Sequence, residues 1–219
     1  MDEPLAIDYY TDVLCVWAWI AQRRTEELES NWGDKIELRH RYVNVFGDTK
    51  TRIGDGWAKR GGYDGFRDHV VESAAPYDKA EVNPDIWSKV QPKTSANAHL
   101  VLSAAAGILP RNAAVDLAAQ IRHAFFVDAR DVGDMAVLLE VVQDNDQDVD
   151  GMREAIADGR AAARLMNDYQ GAASANIAGS PSWVLNEGRQ KLYGNVGYHV
   201  LNANVEGLFA GHTTDASWC

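Results

Sequence analysis

The chain opens on an apolar run, Leu5-Ala6-Ile7 followed by Tyr9-Tyr10, whose length and composition predict a buried strand. At Asp12-Val13-Leu14-Cys15-Val16-Trp17-Ala18-Trp19-Ile20 the spacing changes. From Cys15 onward Trp17, Ile20, Ala21 and Leu28 fall on one side of a helix. Residues 35–43 alternate well enough for a second strand, completing a βαβ unit with parallel strands and a right-handed crossover. Residues from about 44 to 62, rich in Gly, Asp, Lys and Arg and without a period, predict a loop. From about Tyr63 to Asp158 the pattern is helical. One helix runs from Ser95 to Ala106, stopped by Gly107 and Pro110. The next carries Leu117, Ile121 and Phe125, and a third, capped by Asp134, carries Met135, Leu138, Leu139 and Val142. A fourth places Ala162, Leu165, Met166 and Tyr169 on one face. Strand character returns at Ser182–Asn186 and Gln190–Tyr193 around the turn Glu187-Gly188-Arg189, and a last helix shows Leu201, Val205 and Leu208. These periodic apolar faces are read as core.

A length of 219 residues suits one domain with an insertion or two small domains. The net charge of −11 argues against nucleic acid and against an anionic membrane surface, both of which call for a basic face. No apolar run has the length of a membrane span. The start Met-Asp-Glu-Pro-Leu-Ala-Ile-Asp lacks the basic and apolar regions of a signal peptide, so a cytoplasmic protein is expected. Only two cysteines are present, Cys15 and Cys219. That is too few for a thiolate zinc site, and Cys219 is expected to be an exposed thiol at a frayed end.

Candidate chemistry centres on Cys15. A cysteine where strand passes into helix faces the free amide N–H groups and the positive end of the helix dipole, which favour thiolate. The alternative is an inert packed cysteine. Asp12 would oppose the helix effect by raising the thiol pKa, or is a solvated turn residue. Asp146-Gln147-Asp148-Val149-Asp150-Gly151 matches the start of a calcium loop, but the required glutamate position is Ala157, so an acidic connection with Asp150 as helix cap is expected. The six histidines (His40, His69, His99, His123, His199 and His212) show no ligand spacing, and no metal site is expected.

Around Cys15 the sequence resembles the active-site segment of the DsbA-like branch of the thioredoxin superfamily, in particular FrnE-like proteins, where Cys-Pro-Trp-Cys is usual. Cys15 falls on the nucleophilic cysteine, Val16 on the proline, Trp17 matches, and Ala18 stands where the resolving cysteine belongs. Gly179-Ser180-Pro181-Ser182-Trp183-Val184 resembles the segment that holds the family's cis-proline, and residues 125–134 also resemble FrnE-like sequences. The resemblance implies a thioredoxin-like α/β fold with an all-helical insertion. It assigns 1–62 and 170–219 to the thioredoxin-like domain and 63–169 to the insertion. It further implies a catalytic Cys15 and a cis Ser180–Pro181 bond beside it, with the Ser180 backbone pairing with substrate. Trp17 then forms part of the apolar site wall, while Trp19 is core. A dithiol cycle needs the second sulfur that Ala18 lacks. Three functions stay open: a monothiol oxidoreductase resolved by glutathione as co-substrate, a glutathione site like those of kappa-class glutathione transferases and 2-hydroxychromene-2-carboxylate isomerases, and a redox-inactive binding module. No bound cofactor is expected.

Overall fold

The computed structural model describes residues 3–211; His212 and Cys219 lie outside them. The element order is β1 (Leu5–Thr11), α1 (Val16–Trp32), β2 (Ile36–Tyr42), α2 (Gly62–Ala74), α3 (Ala96–Ile108), α4 (Arg111–Phe126), α5 (Met135–Asp144), α6 (Val149–Ala157), α7 (Arg160–Ser174), β3 (Ser182–Leu185), β4 (Gln190–Tyr193) and α8 (Tyr198–Phe209). The four strands form one sheet in the order β2-β1-β3-β4. β1 and β2 run parallel from Leu5 opposite Ile36 to Thr11 opposite Tyr42, as the βαβ pattern requires. β3 is antiparallel to β1, with Tyr10 opposite Ser182, and β4 is antiparallel to β3 across the predicted turn.

Strand alternation divides the apolar side chains between two faces. Ile7 and Tyr9 of β1, Ile36 and Leu38 of β2, and Trp183 and Leu185 of β3 face Ala21 and Leu28 of α1 and Leu201 and Val205 of α8. Tyr10, Val43 and Val184 pack on the other face with Ala172 of α7 and Ile177. The largest cluster unites the interior of helices α2–α7 with Val13, Leu14, Cys15, Val16, Ala18 and Ile20. The end of β1 and the start of α1 are therefore held where sheet and helices meet.

Four local features differ from the sequence pattern. Residues 44–62 contain a π-helical turn, Lys50–Asp55, and a 3-10 turn, Ala58–Arg60, because Ile53 is drawn fully into the core. Between α2 and α3 the chain is not helical. Pro76, Pro84 and Pro92 interrupt it, while Ile86 and Trp87 anchor it in the interior. In α7 the buried face is Ala161, Leu165, Asp168 and Ala172, whereas Met166 is 46% exposed. Asp168 occupies an inward position by pairing with Arg41 at 3.2 Å, so a polar residue hid the true stripe. Asp148, rather than Asp150, caps α6 by accepting the Gly151 N–H at 2.9 Å. Asp134 caps α5 as expected, accepting the Ala136 N–H at 2.8 Å. No helix of the described residues is long and apolar enough to cross a membrane.

Candidate active site

Cys15 is the N-cap residue of α1, with extended backbone, and its carbonyl accepts the Ala18 and Trp19 N–H groups. Its thiol donates to the Ser180 carbonyl at 3.1 Å, and the Ser180–Pro181 peptide bond is cis. Two segments 165 residues apart thus meet at the sulfur. The Ser180 hydroxyl accepts the Asp12 N–H at 2.8 Å, so its own proton is free to point at the sulfur.

Asp12 is fully buried, not a solvated turn residue. Its carboxylate accepts hydrogen bonds from Leu14 N (3.0 Å), Val45 N (3.0 Å), Phe46 N (2.9 Å) and Ser95 Oγ (2.8 Å). Four donors compensate the loss of solvation and tie the β1 end to the 45–46 segment and to the start of α3. Ser95 spends its hydroxyl here instead of capping its own helix. His99, also fully buried, accepts the Val13 N–H at Nε2 (3.2 Å), which leaves the ring proton on Nδ1 facing the Tyr169 hydroxyl at 2.9 Å. Burial, with Arg122 adding to it and Asp12 opposing, pushes His99 down to about 4.

The electrostatics of Cys15 reverse one expectation. Burial pushes the thiol above its ordinary value and the Asp12 charge adds to the rise. The Ser180 side chain and the Ala18 and Trp17 N–H groups pull the other way. At 6% exposure the loss of water outweighs the helix terminus, so the resting sulfur carries its proton.

The sulfur nevertheless lines a cleft of about 480 Å³. Cys15, Val16 and Trp17 form one wall with Gly179 and Ser180, and Arg52, Trp57, Phe66 and His69 face them. Trp17 therefore stands in the cleft wall. Trp19 stacks on Phe126 with ring centroids 5.6 Å apart and donates its indole N–H to the Glu81 carbonyl. Ala18 is fully buried one turn below the sulfur. The facing wall was not legible as such. Its sequence signal is an aromatic, Trp57, set among Lys50, Arg52, Lys59 and Arg60 in a stretch without periodicity. The glycine at 65 lets the wall close, since a Cβ there would collide with the Arg60 carbonyl.

A family model for the DSBA-like thioredoxin domain matches residues 6–206. No curated protein sequence matches the chain. Among solved structures, a protein of Nitrosomonas europaea assigned as a protein disulfide isomerase superposes with a TM-score of 0.78 at 16% identity, covering 96% of this chain and 100% of that one. The cytosolic disulfide reductase DsbM from Pseudomonas aeruginosa superposes with a TM-score of 0.70 at 17% identity, over 92% and 99% of the two chains, and its structure is also known with GSH. A 2-hydroxychromene-2-carboxylate isomerase gives 0.64 at 13% identity, over 97% and 100%. At these identities the likenesses concern the fold.

Proposed function

Because the chain belongs to the family of DSBA-like thioredoxin domains, we propose that it is a thiol–disulfide oxidoreductase working through one sulfur, Cys15, with glutathione as the thiol that completes the cycle. The observation carrying this is the Cys15 sulfur at a cleft wall, 3.1 Å from the carbonyl of Ser180. In the first step the Cys15 thiolate attacks a mixed disulfide R–S–S–G. The Cys15–S–S–G bond forms, the sulfur–sulfur bond of R–S–S–G breaks, and R–S⁻ takes up the proton that Cys15 released. In the second, a glutathione thiolate attacks the bound glutathione sulfur, yielding oxidised glutathione and the Cys15 thiolate. Glutathione is the reductant throughout and the protein is unchanged.

Ala18 supports a thiol from solution over a resolving partner in the motif. Once the thiol proton has left, the Ala18 and Trp17 N–H groups and the Ser180 hydroxyl are the groups that favour the anion. The Ser180 backbone positions the substrate and Trp17 shields the sulfur. Such a cycle belongs in a thiol-reducing compartment, and the cytoplasm is the one we assign.

The test is peptide-resolved mass spectrometry after incubation with oxidised glutathione. A single adduct on Cys15, removed by excess reduced glutathione, is expected; an unmodified Cys15 overturns the proposal. A Cys15–Cys219 bond would instead make the chain end the resolving thiol. The protonated state of the resting thiol favours one further reading, a glutathione transferase or isomerase in which the Cys15 S–H donates to the thiolate of bound glutathione. Turnover of glutathione with an electrophile, without adduct formation on Cys15, would select it.

A further inference from the structure

The chain carries a net charge of −11, yet no carboxylate contributes to the lining of the Cys15 cleft. Its ionisable groups are Cys15, Arg52 and His69. Burial and then the Arg60 charge lower the His69 pKa, so at neutral pH this imidazole is uncharged. Arg52 is then the one full charge in the wall. It sits on the π-helical turn Lys50–Asp55, a turn that Gly56 permits, since a Cβ there would lie 2.5 Å from the Arg52 carbonyl oxygen. Of the acids near it in sequence, Asp55 lies on the same turn without pairing with it, and three others are engaged elsewhere. Asp48 accepts from the Thr51 N–H and hydroxyl, and Asp64 and Asp68 pair with Arg67. Among the described residues no carboxylate pairs with Arg52, whereas other basic side chains are engaged in ion pairs, such as Arg130 with Glu140 and Asp144. Behind the wall Arg60 lies over the Trp57 ring, 3.6 Å from its centroid, and adds positive potential on the same side.

We propose that Arg52 makes this cleft selective for small thiols and disulfides that carry a carboxylate, which the guanidinium engages while the sulfur meets Cys15. The inference rests on Cys15 as the reactive sulfur and adds the class of molecule that reaches it. A carboxylate matches the planar donor fork of arginine. A polyanion is disfavoured by the acidic remainder of the surface, whereas a small monoanion inside the cleft is screened from it over a Debye length of about 8 Å.

The test compares two alkylating probes of nearly equal shape, iodoacetate and iodoacetamide. Each forms a carbon–sulfur bond at Cys15 and releases iodide, and the Cys15 peptide is followed by mass spectrometry so that Cys219 does not enter. Any change in the thiol pKa affects both probes alike and cancels in the ratio of their rates. Arg52→Gln is expected to lower the iodoacetate-to-iodoacetamide ratio roughly threefold to fivefold, the size of one partly exposed ion pair. Arg52→Lys should hold most of the ratio. Added salt should bring the unmutated protein toward the Arg52→Gln value. A ratio unmoved by Arg52→Gln, or insensitive to salt in the unmutated protein, overturns this inference alone. Failure of both probes to reach Cys15 in the folded protein overturns the assignment of the reactive sulfur, and this inference with it.

Discussion

At the scale of single residues, two side chains act on Cys15 with opposite sign. Asp12 raises the thiol pKa by its charge and Ser180 lowers it by its hydroxyl. Asp12→Asn should therefore lower the thiol pKa and Ser180→Ala should raise it, both read from thiolate absorbance against pH. Asp12→Asn also weakens a carboxylate that accepts from four donors, and a stability loss of about 2 kcal/mol is expected in denaturant unfolding. Much of this pair was legible. The Cys15 junction and Ser180-Pro181 stand out as motifs, and the sign of the Asp12 effect follows from charge alone. The burial of the sulfur was not legible, because it depends on residues from the distant segments 45–46 and 179–180 closing over a helix start. Nor was the contact of His99 with Val13, since an isolated histidine in a sequence gives no hint of a backbone partner 86 residues away.

Among the elements, α7 shows how a pattern misleads. Reading by hydropathy selects Met166, but the buried stripe is turned slightly because Asp168 points inward to Arg41. Leu165→Ala should cost about 2–4 kcal/mol in unfolding free energy. Met166→Ala should stay within about 0.5 kcal/mol, and equal losses for the two would contradict the observed orientation. The cap of α5 offers a case where sequence and structure agree. Asp134→Ala removes the side-chain acceptor of the Ala136 N–H and should cost about 1 kcal/mol, measured in the same way. Helices with a clear apolar period and a polar cap declared themselves. The segment between α2 and α3 did not, because its order comes from Trp87 packing among Phe46, Phe66 and Phe125 and not from any repeat.

For the molecule as a whole, the meeting of sheet and helices includes, beside the buried Asp12 carboxylate, histidines that must stay uncharged. His99 has a folded pKa of about 4 against an ordinary 6.5, and burial holds His40 down to about 3. Both values lie below those of the unfolded chain, so the unfolded state binds more protons in acid. The contribution of neutral histidine is present above pH 6.5 and is lost as pH falls. For His99 it amounts to about 3 kcal/mol by pH 4. Denaturant midpoints should drop between pH 7 and pH 4, and His99→Gln should make the drop shallower; a midpoint flat over that range would refute the role of the histidines. The strand-helix-strand framework was readable from apolar spacing, while the joint between the layers was not, because polar residues build it. Ala18, buried beneath the sulfur where a second sulfur would complete the motif, carries its consequence beyond the protein. On the proposed cycle the motif itself holds no second sulfur to finish what Cys15 starts, and the occupancy of Cys15 between strokes would follow the ratio of free to oxidised thiols around it. The protein would report the redox state of its surroundings in the same act by which it works.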